Sequence, residues 1–427
     1  MAKLAICGGS KLRTEPFPKH PIITEEDKKR VMNVLEEGNI SSFGASAGKK
    51  FYGGKQVKEL EKVVSNYFST KYAVALNSWT AGLHASIVAC GINPGDEIIV
   101  PPYTFTSTAT ACLMHNVIPV FADVDIDTFC ISPKSIEEKI TDRTKAIIPV
   151  HLFGNSADMD KILEISQKYN LKLIEDAAQA IGGKYKNKFL CTIGDCGGIS
   201  LQESKTVMCG EGGVLITNNE QIARVAQMVR NHGEVIIANE ERTYTPNLIG
   251  YNYRMTELEA ALASSQFSRL DEYNSVRREL AEYLIKKLSG FDFLIPQQVT
   301  EGCEHSFYLV AFRFLEDKIN ISRDLFVKAV DAEGIPVKAG YVKPLYYSPI
   351  YHDKKPFIYK YFGQSISYEK GICPVTERLY EKELITFQQI RPPAKIKDID
   401  DIVSTIEKIV ANKEELKEKN IILEGSH

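Results

Sequence analysis

Gly197-Gly198-Ile199-Ser200-Leu201-Gln202-Glu203-Ser204-Lys205 runs toward a second glycine cluster, Gly210-Glu211-Gly212-Gly213. A single lysine therefore stands between a strand-like segment and a glycine-rich turn. Glycines permit tight turns and close approach of backbone to a ligand. A lysine held in such a loop can lose its water, and that loss favours the neutral amine used in Schiff-base chemistry. An ordinary surface lysine needs none of this setting.

Two stretches upstream share this character. Leu173-Ile174 leads directly into Glu175-Asp176-Ala177-Ala178-Gln179. In parallel sheets, ligand groups gather at the carboxyl ends of strands, so Asp176 is placed either to meet a ligand or to cap the next helix. Asn77-Ser78-Trp79-Thr80-Ala81-Gly82 follows the apolar run Tyr72–Leu76 and opens a helix. Backbone N–H groups at such a start bind phosphate, with Thr80 offering a hydroxyl; a plain capping turn has the same pattern.

Around these stretches, from Lys71 to Asn218, short apolar runs alternate with helical segments. Tyr72–Leu76, Glu97–Val100, Ile118–Val124, Ala146–Val150, Leu171–Ile174 and Val214–Thr217 are expected as buried strands. Ala81–Ala89, Ser135–Ile140 and Asp158–Tyr169 are expected as helices. This alternation predicts an α/β fold with a large, mostly parallel sheet covered by helices on both faces. After Asn252 the pattern changes. Met255–Leu288 is expected as one long helix, Phe307–Phe314 as a strand, Arg323–Glu333 as a helix, and Asp398–Lys419 as an amphipathic helix. The expected division is an N-terminal arm (1–30), a large α/β domain (31–270) and a smaller C-terminal α+β domain (271–427).

Composition narrows the function. The charge is near balance, with 52 Lys plus Arg against 55 Asp plus Glu, so the basic excess of a nucleic-acid binder is missing. No apolar run approaches a membrane span, and Met1–Ser10 lacks the long apolar core of a secretory signal. Nine cysteines occur without a C-x-x-C pair, so neither a metal site nor a disulfide framework is expected, and the thiols fit a cytoplasmic protein.

Phosphate turn, strand-end Asp and then Lys occur in the order of the pyridoxal 5′-phosphate (PLP) aminotransferases. Further phrases are Pro94-Gly95-Asp96-Glu97, Pro102-Tyr103-Thr104-Phe105, Arg143-Thr144-Lys145-Ala146-Ile147-Ile148-Pro149-Val150-His151 and Gly250-Tyr251-Asn252-Tyr253-Arg254-Met255. With them the chain resembles the DegT-type sugar aminotransferases, fold type I PLP enzymes, from about residue 11 to 410. The resemblance implies that Lys205 holds the cofactor as a Schiff base and that Asp176 pairs with its pyridine nitrogen. It implies that Gln179 lies near the ring hydroxyl and that Phe105 stacks on the ring, unless Phe105 is simply a core aromatic. Thr80, Ala81 and Ser200 would bind the phosphate, with Asn252 and Arg254 reaching the phosphate of a neighbouring subunit in a homodimer. His151 would contact the ligand or pack in the core. Trp79 departs from the glycine common before the phosphate-turn threonine. The implied reaction moves an amino group from glutamate or glutamine to a nucleotide-linked keto-sugar or a keto-cyclitol. Sugar dehydratases of the family carry histidine where Lys205 stands, and a non-catalytic PLP-binding regulator has no need of the whole residue set.

Overall fold

The computed structural model describes residues 3–44, 48–235 and 245–417. Seven strands form the main sheet: β1 (Tyr72–Leu76), β2 (Glu97–Val100), β3 (Ile118–Phe121), β4 (Thr144–Ile147), β5 (Lys172–Asp176), β6 (Cys196–Ser200) and β7 (Gly213–Thr217), in the spatial order β1-β7-β6-β5-β4-β2-β3. Only β7 runs against its neighbours. The other pairings are parallel. The strands are apolar on both faces because helices cover both: Ile98, Ile99 and Val100 are all fully buried.

Strand ends differ from expectation where a polar group or a proline intervenes. β3 stops short of Val124 because Asp123 accepts hydrogen bonds from the N–H groups of Val375 and Thr376, at 2.8 and 2.9 Å. β4 stops at Ile147, ahead of Pro149, which has no N–H to give a ladder. The Pro149 carbonyl instead accepts from the Asp176 N–H at 2.9 Å, which ties the two chain segments together at the carboxyl edge.

The single helix expected over Met255–Leu288 is two helices, Glu257–Phe267 and Leu270–Leu288. The first is started by a capping box between Thr256 and Glu259. At the break, Arg269 has φ −108° and ψ 6°. Its Nη2 donates to the buried Asp27 carboxylate at 2.8 Å, pinning the break to helix Glu25–Glu37. A local apolar period carries no trace of that partner 242 residues away.

A second, four-stranded antiparallel sheet holds Leu294–Pro296, Val310–Phe314, Leu384–Phe387 and Lys338–Ala339, in that order. Its core is shared with helices Leu270–Leu288, Arg323–Ala332 and Ile396–Ala411. The N-terminal arm docks here: Leu4 is fully buried, and Glu333 accepts from the N–H of Ala5 at 2.8 Å and of Leu12 at 3.0 Å. The strand expected from Phe307 starts at Val310 because Phe307 takes a positive φ of 47°. That bend turns Tyr308 toward the large sheet.

Candidate active site

The carboxyl ends of β1, β5 and β6 open on one cavity of about 470 Å³. Thr80, Phe105, Asp176, Gln179, Ser200 and Lys205 all line it. They come from separate parts of the chain, and the sheet brings them together because parallel strands end on one edge.

Lys205 owes its position to the two glycine-bearing stretches, which bond to each other. Leu201 N–H donates to Gly212 O and Glu203 N–H to Gly210 O, both at 2.9 Å. Lys205 N–H closes a turn onto Gln202 O at 2.9 Å, and Gln202 Oε1 in turn accepts from the Ser204 hydroxyl at 2.6 Å. The lysine Nζ lies 4.7 Å from the centre of the Tyr308 ring.

Strand alternation separates the two acids of β5. Glu175 points away from the cavity. It accepts from the N–H groups of Cys191, Ile193 and Gly194, and from His151 Nε2 at 3.0 Å. His151 is fully buried in this network, which makes it a core histidine. Asp176 faces the cavity. Its Oδ1 accepts from Trp79 Nε1 at 2.9 Å and its Oδ2 from Thr108 Oγ1 at 2.8 Å.

Trp79 explains its own departure from glycine. Its indole lies across β6, where a Cβ on Gly198 would overlap the ring; Gly82 leaves room on the other side. Paired glycines inside a strand are the sequence sign of such a close approach.

At the start of helix Trp79–Ala89, Ser78 is the cap and accepts from the Ala81 N–H at 3.1 Å. Ala81 is buried behind the cavity and Thr80 is on it. Gln179 accepts from Phe153 N–H at 3.0 Å and donates to Tyr341 Oη at 2.8 Å. The Phe105 ring is 59% exposed, unlike a core aromatic. Asn252 and Arg254 are not on the cavity of their own chain. They pair with each other, Arg254 Nε to Asn252 Oδ1 at 2.8 Å, beside Asn77. Sequence reading did not find Thr108, Tyr308 or Tyr341, since none stands in a distinctive local pattern.

PLP fits these residues on one structural ground above all. Asp176 is 3% exposed, its donors are neutral, and no ion pair to it occurs among the described residues. A buried carboxylate calls for a cationic partner, and a protonated pyridine supplies one.

A family model described as the DegT/DnrJ/EryC1/StrS aminotransferase family matches residues 21–407. The chain belongs to that family. It is 36% identical over 300 residues to the GDP-perosamine synthase of Caulobacter vibrioides, covering 70% of this chain and 79% of the relative. It is 30% identical over 429 residues to a putative L-glutamine:3-amino-2,3-dideoxy-scyllo-inosose aminotransferase of Streptoalloteichus tenebrarius, covering 97% and 100%. The solved structure of an aminotransferase from Psychrobacter cryohalolentis superposes with a TM-score of 0.83 at 27% identity, covering 93% and 99%. This enzyme of the DegT family is therefore a PLP-dependent aminotransferase with the fold type I architecture. No helix among the described residues is long and apolar enough to cross a membrane.

Proposed function

We propose that the enzyme moves an amino group from glutamate or glutamine to a ketone on a nucleotide-linked sugar or on a free cyclitol, as a step in amino-sugar biosynthesis. The observation that carries this is Lys205 inside the cavity that Asp176 faces. The named activities of the two relatives, one on a GDP-sugar and one on an inosose, support the acceptor class. Bound PLP supplies a carbonyl for the donor amine and a ring that draws electrons from the donor's α-carbon. Asp176 would hold the ring nitrogen protonated. Lys205 would hold the cofactor and would move the proton at the donor's α-carbon as a general acid–base. Thr80, Ser200 and the helix start at Ser78 hold the phosphate, and Phe105 covers one ring face. The nine cysteines, with no C-x-x-C pair among them, and the balanced charge suit the cytoplasm. Division at residues 30 and 270 belongs to the same reading, supported by the separate core under the four-stranded sheet.

The decisive experiment follows the visible absorbance of the holoenzyme on adding glutamate, glutamine or alanine, then adds a panel of keto-sugars and keto-cyclitols. Loss of the band with glutamate or glutamine and aminated product from a sugar-type ketone are expected. No response to either donor, or dehydration as the sole product, would refute the reading.

The reading extends to a homodimer in which Asn252 and Arg254 of one chain complete the phosphate site of the other. Their absence from their own cavity supports this, as does the neighbouring Ile249, which is 79% exposed. A phosphate dianion gains from each added donor, and charged donors are the strong ones. Mixing Lys205→Ala protein with Asn252→Ala/Arg254→Ala protein under subunit exchange should restore one good site per heterodimer. Proven heterodimers with no gain over either mutant would rule out sharing.

A further inference from the structure

Trp79 is the first residue of helix Trp79–Ala89, and its side chain turns back against the sheet. The buried indole lies between Gly82, one turn along the same helix, and Gly198 of β6. Gly198 stands opposite Asp176 in the β5–β6 ladder. A side chain on Gly198 would fill the space beside the carboxylate, and the indole takes that space instead. Its Nε1 thereby meets Asp176 Oδ1 at 2.9 Å, on the wall of the cavity that both residues line.

Counting donors separates the two oxygens of Asp176. A carboxylate oxygen has about two acceptor sites. Oδ1 accepts from Trp79 Nε1 and from the Ala178 N–H at 3.2 Å, so its sites are filled. Among the described residues Oδ2 accepts from Thr108 Oγ1 alone, at 2.8 Å, so one site stays open. The carboxylate cannot exchange its oxygens without breaking the bonds to Oδ1. The kind of donor matters as well. Indole N–H is neutral, donates and cannot accept. An arginine or lysine in its place would hold the carboxylate and also neutralise it. A hydroxyl could turn its bond around.

We propose that Trp79 is a positioning residue for the cofactor: it occupies Asp176 Oδ1 and so presents Oδ2, with its charge uncompensated, to the ring nitrogen of PLP. The inference rests on the reading of Asp176 as the partner of that nitrogen. It gives the indole an electrostatic task through Asp176 as well as a packing one. Without the indole N–H the carboxylate can rotate about its last bond and lose its alignment. Hydrogen bonds to a charged acceptor are among the stronger ones, so the loss is measurable.

The test compares two cofactors on enzyme stripped of PLP and reloaded. One is PLP. The other is its deaza analogue, in which a C–H stands in place of the ring nitrogen. Both carry the aldehyde and the phosphate, so the ratio of their dissociation constants, from equilibrium dialysis, isolates the ring nitrogen. Wild type should prefer PLP. Trp79→Phe should lower that preference about tenfold, while affinity for the deaza analogue stays near wild type. Benzothienylalanine at the same position, whose sulfur replaces the N–H in a ring of the same shape, should do the same. That replacement keeps the packing against Gly198 and covers a failure of Trp79→Phe to fold. Equal weakening of both cofactors would make Trp79 a packing residue only and overturn the proposal. A wild type that binds both cofactors alike overturns the reading of Asp176 itself. A wild-type preference that survives both replacements overturns the role of Trp79 alone.

Discussion

Lys205→Ala protein will fold, bind PLP and lose it on dialysis, while turnover falls by about a thousandfold or more, on the order of 4 kcal/mol in barrier. On the proposed roles, the substitution removes both the covalent anchor and the group that moves the α-proton, so two effects combine at one residue. The fold should survive because Lys205 side-chain atoms line a cavity and the turn that carries them is built from backbone bonds of Leu201, Glu203 and Gln202. Borohydride reduction of wild type, then digestion and mass spectrometry, should place the cofactor on the peptide containing Lys205. A label on any other lysine, or turnover retained in the variant, would remove Lys205 from its role.

Asp176→Asn should keep PLP and lose most of the rate, with the barrier raised by several kcal/mol and turnover down on the order of a hundredfold to a thousandfold. The amide keeps the shape of the carboxylate but not the charge that, on the proposed role, holds the pyridine nitrogen protonated. The surroundings can absorb the change. The Asn oxygen can keep the Trp79 Nε1 bond, and the Thr108 hydroxyl, now facing an N–H donor, can rotate to accept from it while turning its own proton to Thr104 Oγ1 at 3.4 Å. Thermal unfolding close to wild type together with a slow half-reaction is the expected pair of results. A half-reaction at nearly wild-type rate would show Asp176 to be structural only.

The parts of the site legible in the sequence were those with a local signature. A strand-end acid, a helix start after a strand and a lysine between glycine clusters each carry their chemistry in a few consecutive residues. Strand positions were legible for the same reason, and their ends were misplaced where a distant contact decided them, as Asp123 does through Thr376. Tyr308 had no such signature. It reaches the cavity through a positive-φ bend at Phe307, ahead of the second sheet. Trp79 was visible as an oddity, but its bond to Asp176 spans 97 residues and depends on a missing side chain at Gly198. Arg269 broke an otherwise continuous helical period for a partner in the N-terminal region.

Trp79 is the sole tryptophan among the 427 residues. It donates to the carboxylate of Asp176, which faces the cavity. Indole emission from this enzyme therefore comes from a single residue on the cavity wall, with no background of its own kind elsewhere in the chain. PLP absorbs where indole emits, so loading should darken the emission. Stopped-flow fluorescence can then time cofactor entry and donor exchange directly, and a dye or engineered reporter becomes unnecessary.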